Sequence, residues 1–193
     1  HHGDMVAPMS AAGLKAMPFN KPPMGELALV YEGGGLKVEA LTVEHDPVDP
    51  AVGYLFTYKG RMLLITGDTT KQENIQKFSE GIDLLVHEAL APNLLMMMHE
   101  AANKVGNKIM AKITVDVLDY HASPVEAAET ARDAGVGHLL YYHIVPPLVV
   151  PGQEALWLNG AGEIFPDYTV GQDGVSFSLP AKSDEIIMTR KGL

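Results

Sequence analysis

Residues 53–69 read Gly-Tyr-Leu-Phe-Thr-Tyr-Lys-Gly-Arg-Met-Leu-Leu-Ile-Thr-Gly-Asp-Thr, and this stretch decides the fold. Two apolar segments flank the turn dipeptide Lys59-Gly60, so the sequence predicts a hairpin of two strands. Gly67-Asp68-Thr69 follows directly after the second strand. A carboxylate at the end of a buried strand can face a functional site, or it can cap the next helix, and this stretch alone favours neither.

Predicted strands and helices alternate on both sides of the hairpin. Strands are expected at 27–31, 36–43, 82–86, 136–142, 175–179 and 184–189, and helices at 71–79 and within 93–120. Ser123-Pro-Val-Glu126 is a capping box with proline at the first helical position, and Gly135 is the expected end of that helix. Residues 1–30 are predicted to form an irregular arm, and residues from 151 onward to form loops, turns and short strands. The pattern indicates an α/β class with a mixed sheet.

Composition excludes several classes of function. The chain has 193 residues, 24 acidic and 14 basic, which gives a formal net charge of -10. Such a field repels phosphate backbones, so general nucleic-acid binding is unfavourable. The chain has no cysteine, which excludes disulfides, thiolate ligands and a cysteine nucleophile. No apolar run reaches the roughly 18 residues that a membrane span requires.

Several polar residues share one predicted placement, on a loop just after a strand. They are His45, Asp68, the pair His87-Glu88, and His143; His121 lies at the start of the capped helix. Any one of these histidines alone suits a surface or hydrogen-bonded role. Together, histidines and carboxylates without cysteine suit Zn, Mn or Fe in a hydrolytic site. His1, His2, His99 and His138 lack this placement and are expected to be structural or surface residues.

These motifs occur in a recognisable order: His45, Gly53-Tyr54, Thr66-Gly-Asp-Thr69, Leu85-Val-His-Glu-Ala89, His121-Ala-Ser123 and His143-Ile144. The order resembles the second half of the metallo-β-lactamase superfamily, in the branch of ribonuclease Z and arylsulfatase-like hydrolases. The resemblance covers residues 36–147. It implies an αββα sandwich, of which this chain holds mostly the carboxyl-terminal half, as a single partial domain over residues 1–193.

The resemblance also implies roles for the candidate residues. His45 and His143 correspond to metal ligands, and Asp68 to a carboxylate that bridges two divalent ions, zinc first, with Mn or Fe as alternatives. His121 corresponds to a histidine that does not bind metal but passes a proton to the leaving group, with Glu88 orienting it. Asp68, Glu88 and His121 are thus the expected catalytic residues.

One part of the family pattern is absent. The signature His-x-His-x-Asp-His, which supplies most metal ligands, does not occur in these residues. The expectation is that the chain is the carboxyl-terminal part of a longer protein. Its partners would then include the missing amino-terminal half and, from the resemblance, a second copy in a homodimer.

The function expected first is metal-dependent hydrolysis of a phosphate, sulfate or carboxylic ester by an activated hydroxide. Because the chain is acidic, a small ester substrate of the arylsulfatase or phosphodiesterase type is favoured over tRNA. Two alternatives stay open: tRNA 3′ processing of the ribonuclease Z type, and a non-catalytic interaction module whose half-site is inert. The compartment, cytoplasm or periplasm, is left open.

Overall fold

The computed structural model describes residues 17–190. Its strands are β1 (Leu27–Gly33), β2 (Leu36–Thr42), β3 (Val52–Tyr58), β4 (Arg61–Ile65), β5 (Leu84–Leu90), β6 (His138–Val145), β7 (Tyr168–Val170), β8 (Val175–Ser178) and β9 (Ile187–Arg190). Its helices are α1 (Glu73–Phe78), α2 (Pro92–Lys104), α3 (Lys108–Asp116), α4 (Pro124–Ala134), α5 (Gln153–Leu158) and α6 (Ala161–Ile164), with a 3₁₀ turn at Val117–Asp119. None of these helices has the length and apolarity needed to cross a bilayer.

The first seven strands form one sheet in chain order. Strands β1 to β4 pair antiparallel, whereas β4 to β7 pair parallel. Two successive antiparallel pairings make β2 run in the same direction as β4, and hence as β5 and β6. The carboxyl ends of these four strands therefore lie at one edge of the sheet, where open α/β sheets commonly carry their sites.

One face of the sheet is the core face. Leu55, Leu64, Leu85 and Leu139 are in register from β3 to β6, and each is at most 5% exposed. Residues in register share a face of a sheet. Side chains of α1 and α4 belong to the same buried cluster, namely Ile75, Ala127, Ala128 and Ala131.

Within residues 17–190, the opposite face of the sheet is only partly covered. Phe56 and Leu63 are half-buried there, and they line an apolar cavity of 420 Å³ together with Phe177 of β8. The buried Arg61 holds the segment before β9 in place. Its Nη2 donates to the Glu185 carbonyl at 3.2 Å and forms an ion pair with Asp83 at 2.9 Å.

The structure confirms the main predictions. The β3–β4 hairpin turns at Lys59-Gly60, and the sheet is mixed. The Ser123 hydroxyl accepts from the Glu126 amide at 3.2 Å, while Glu126 Oε2 accepts from the Ser123 amide at 2.8 Å, so the capping box is present. Gly135 ends α4 with φ of 63°, a left-handed conformation that suits glycine.

The predictions for the flanking segments need correction or qualification. The region after residue 151, predicted as loops, turns and short strands, also contains helices α5 and α6. The short α5 is stabilised by tertiary contacts, because Trp157 is fully buried and its indole N–H donates to the Val145 carbonyl at 3.1 Å. β1 begins at Leu27, as predicted for the strand at 27–31, so the irregular arm predicted over 1–30 does not extend past residue 26; residues 1–16 lie outside the described part.

Candidate metal centre

His45 reaches the carboxyl edge of the sheet from the loop after β2. Its Nδ1 lies 2.8 Å from the carbonyl oxygen of Tyr120. A carbonyl can only accept a hydrogen bond, so Nδ1 carries the proton and donates it. In the neutral ring the lone pair is then on Nε2, which faces the Asp68 carboxylate with 3.9 Å to Oδ2. His45 presents a free nitrogen to the site in the form that metals bind.

Asp68 lies on the loop after β4, and the backbone of Gly67 shapes that loop. Gly67 has φ of 69°, a backbone conformation that residues with a side chain rarely adopt. A Cβ at this position would also lie 2.8 Å from the Val52 carbonyl oxygen, which is too close for a side chain. The tight path turns the Asp68 carboxylate toward the histidines. Its Oδ2 is 3.5 Å from His143 Nε2, and its side chain is 37% exposed, which leaves it open to a ligand.

His143 occupies a bulge in β6. Glu88 pairs with Tyr142 and Ala89 with Ile144, so His143 is the extra residue between two ladder pairs. Its φ is 43°, an unusual value for a residue other than glycine. The bulge redirects the side chain toward Asp68. The sequence predicts His143 on a loop after the strand, whereas the structure places it within β6.

Glu88 connects two loops of the site. It is fully buried in β5, where its Oε1 accepts from the Thr69 amide at 3.2 Å and from the Ala122 amide at 3.0 Å. The first amide belongs to the loop of Asp68 and the second to the loop of His121. The sequence predicts Glu88 just after a strand; it lies inside one because pairing with β6 continues to Leu90.

His87 faces away from this site. It is fully buried, and its Nδ1 donates to the Glu88 carbonyl at 2.7 Å. Successive residues of a strand point to opposite faces, so Glu88 and His87 cannot both face the site. Burial lowers the pKa of His87 and keeps the ring neutral. The prediction that His87 lies at the same site as Glu88 is therefore wrong.

His121 lies between Glu88 and the other histidines. Its Nδ1 is 3.2 Å from Glu88 Oε1, close enough for an ion pair when the ring is protonated. Burial acts to lower the pKa of His121, but the Glu88 carboxylate, and to a smaller extent Asp68, outweighs it, so the pKa is raised. The imidazole ring centres of His121 are 5.0 Å from His45 and 5.6 Å from His143.

The residue set fits a divalent metal ion. Asp68, His121 and His143 each offer a ligand atom, and these atoms lie within 4.8 Å of one another. Nitrogen and carboxylate donors are those that Zn²⁺, Mn²⁺ and Fe²⁺ accept. His121, expected not to bind metal, belongs to this cluster. The geometry thus brings all the predicted site residues except His87 together, while their separate roles stay predictions.

The sequence interpretation missed two tyrosines that border the site. Tyr120 contacts His45 through its carbonyl, and Tyr142 precedes His143. Burial, followed by the charge of Asp68, raises the pKa of Tyr142 to about 12, so the phenol stays protonated. Each tyrosine directly precedes a candidate histidine, and this adjacency is the sequence signal that could have identified both tyrosines. A cleft of 860 Å³ runs from Tyr142 and His143 toward Asp173 and Arg190.

The other histidines hold elements together. His99 Nδ1 donates to the Ala111 carbonyl at 2.9 Å, which joins α2 to α3. His138 Nε2 lies 2.9 Å from the Thr169 hydroxyl, between β6 and β7. Both agree with the expected structural role. His1 and His2 lie outside the described residues.

The chain is similar in sequence to known ribonucleases. Ribonuclease Z from Mycobacterium sp. (strain KMS) is 32% identical over 171 residues, covering 86% of this chain and 51% of that protein. Ribonuclease Z from Mycobacterium tuberculosis (strain H37Rv) is 28% identical over 157 residues, covering 81% of this chain and 50% of that protein. The chain therefore spans about half the length of these relatives.

A solved structure has the same fold. The metallo-β-lactamase fold protein YhfI from Bacillus subtilis superposes with a TM-score of 0.51 at 20% identity, covering 73% of this chain and 48% of that one. The profile of the β-lactamase superfamily domain matches residues 6–144, which include every candidate site residue from His45 to His143. This chain belongs to the β-lactamase superfamily.

Proposed function

We propose that the whole protein containing this chain is a metal-dependent hydrolase that cleaves phosphodiesters, with tRNA 3′ processing of the ribonuclease Z type as its function. The observation that carries the proposal is the convergence of His45, Asp68, His121 and His143 at one edge of the sheet. The similarity to ribonucleases Z supports RNA as the substrate over the small ester that the sequence favours.

In this proposal, His45, Asp68 and His143 hold the metal. Divalent cations in such sites lower the pKa of a bound water and polarise an ester oxygen. The described residues offer these three ligands, so dinuclear binding requires further ligands from elsewhere in the protein. Zinc is the first choice, because two or three histidines with a carboxylate are a common zinc set.

His121 carries the proton in this proposal. Its Nδ1 faces Glu88, so Nε2 points to the space beside Asp68 and His143. The raised pKa favours the protonated ring, and a protonated Nε2 can donate to the oxygen of the leaving group. Glu88 keeps the ring in one orientation, because its Oε1 is itself fixed by the Thr69 and Ala122 amides.

A small sulfate or phosphate ester is the second candidate substrate. The net charge of -10 supports it, because tRNA binding requires basic surface to neutralise phosphates. The basic surface for tRNA would have to come from outside this chain. Hydrolysis of a small ester has no such requirement.

The experiment uses the protein expressed from the complete coding sequence that contains this chain, together with an Asp68→Asn variant as the inactive control. The probes are a tRNA precursor with a 3′ extension, bis(4-nitrophenyl) phosphate and 4-nitrophenyl sulfate. Metal-dependent cleavage of the precursor, lost in the variant, is the expected result. Hydrolysis of the nitrophenyl esters alone would overturn the assignment of tRNA as the substrate. Metal-loaded protein that cleaves none of the three probes would overturn the assignment of the protein as a hydrolase.

A further inference from the structure

Tyr120 links the α2–α3 helical hairpin to the candidate metal centre. It follows the 3₁₀ turn after α3 and directly precedes His121. Its backbone is neither helical nor extended, with φ of -134° and ψ of 18°. This conformation ends the helical segment and directs the Tyr120 carbonyl to Nδ1 of His45, 2.8 Å away.

The ring of Tyr120 packs against two imidazoles. Its centre is 5.0 Å from that of His45, with the planes at 89°, and 5.1 Å from that of His121, with the planes at 50°. Edge-to-face contacts at this separation are favourable. The residue is half-buried, so its ring forms a wall beside both histidines.

The orientation of His45 depends on these contacts. The residue lies on the irregular loop between β2 and β3, so regular secondary structure does not fix its side chain. Within the described chain, its nitrogens contact the Tyr120 carbonyl through Nδ1 and Asp68 through Nε2. The carbonyl selects the tautomer with a lone pair on Nε2, and the ring restricts rotation about the side-chain bonds.

We propose that Tyr120 is the residue that positions His45: its carbonyl sets the tautomer of the imidazole, and its ring sets the direction of Nε2. The proposal rests on the proposed function in treating His45 as a metal ligand. Groups that hold a ligating histidine in this way commonly change metal affinity by about 10- to 100-fold. The side chain acts by fixing where its own carbonyl and the two imidazoles lie.

The first measurement is the tautomer of His45 in the metal-free chain, read from ring ¹⁵N chemical shifts above the titration range. Wild type and Tyr120→Phe are expected to show the Nδ1-protonated form of His45. Tyr120→Ala is expected to show a mixture of tautomers, because the carbonyl is no longer held in place. If the alanine variant does not fold, Tyr120→Leu replaces it in this measurement, because leucine keeps apolar volume at the position.

The second measurement is the dissociation constant for Zn²⁺ alone, from the shifts of the same ring nitrogens. The alanine and leucine variants are expected to bind at least about tenfold more weakly than wild type, and the phenylalanine variant within about twofold. Tyr31→Ala, at an exposed tyrosine of β1, is the matched control and should change neither readout.

An unchanged tautomer and an unchanged dissociation constant in folded Tyr120→Ala or Tyr120→Leu would overturn the proposal. A wild-type chain that binds no Zn²⁺ at His45 would count against the metal assignment, while the tautomer measurement would still decide the role of Tyr120. The failure of one proposal is thus distinguishable from the failure of the other.

Discussion

The carboxylate of Glu88 lies 3.2 Å from Nδ1 of His121, and both side chains are buried, with 0% and 7% of their surface exposed. A buried carboxylate beside an imidazole stabilises its protonated form. The pair therefore links the charge state of the site to the pH. It also joins β5 to the segment that leads into α4.

Replacing Glu88 with glutamine should destabilise the metal-free chain most at acidic pH. The folded pKa of His121 is raised, so its stabilising contribution is complete below the unfolded value of about 6.5 and disappears as the pH rises through the folded pKa. Glutamine keeps an acceptor but removes the charge. Urea unfolding with a chelator at about pH 5.5 and about pH 9 measures the difference.

The Glu88→Gln variant should also show a lower His121 pKa by NMR titration. Glu163→Gln, at an exposed position of α6, controls for a general effect of losing one negative charge. Equal destabilisation at the two pH values, with an unchanged His121 pKa, would contradict the pairing of Glu88 with His121.

The bulge at His143 predicts an unusual order of stability for two substitutions at this position. Asparagine and valine both remove the imidazole, but asparagine tolerates the left-handed conformation, and valine should cost about 1 to 2 kcal/mol more. Denaturant unfolding of the two metal-free variants measures this difference directly. The reason is the φ of 43° at this position.

The same two substitutions at His138 are the control for this order. His138 begins the same strand and pairs with Leu84 in the regular part of the ladder. Valine suits a regular strand better than asparagine does. A valine penalty of the same size at both positions would mean that the bulge does not restrict residue 143.

The capping box of α4 stabilises the helix that follows His121. Ser123→Ala removes the side-chain acceptor for the Glu126 amide, and the expected loss is about 1 kcal/mol in the free energy of unfolding. Ser176→Ala, at an exposed position of β8, should change stability by less than about 0.5 kcal/mol. Equal losses in the free energy of unfolding for the two variants would show that the Ser123 cap does not stabilise the chain.

Local sequence signals predicted those parts of the fold that local interactions determine. The turn at Lys59-Gly60 and the capping box at Ser123 are examples, because turn and cap preferences act over a few residues. Helix α5 was not predicted, since its main support is the burial of Trp157 against distant segments. Burial of this kind has no local signature.

The sequence identifies which residues form the site better than it predicts how they are arranged. His45, Asp68, Glu88 and His143 do come together, because β2, β4, β5 and β6 end at one edge of the sheet, and the segment before α4 brings His121 to the same edge. The bulge at His143 was not predictable, since it arises from the pairing of β5 with β6. The same holds for the Tyr120 carbonyl, because every residue has one and its direction depends on the tertiary fold.

Asp68 is expected to be required for metal binding by this chain. It is the one carboxylate in the cluster with His121 and His143, and its Oδ2 lies within 4 Å of both His45 and His143. Asp68→Asn keeps the size of the side chain but removes the negative charge. The dissociation constant for Zn²⁺ should rise by at least about tenfold, which calorimetric titration of the chelator-treated chain measures.

Asp119→Asn is the matched control, because Asp119 is exposed in the 3₁₀ turn close to Tyr120 in the sequence. It removes the same charge and should leave the dissociation constant within about twofold of wild type. Weak binding in both variants would indicate a general electrostatic effect of the acidic chain. Wild-type affinity in Asp68→Asn would mean that the histidines bind the ion without the carboxylate, and that Asp68 does not bridge two metals.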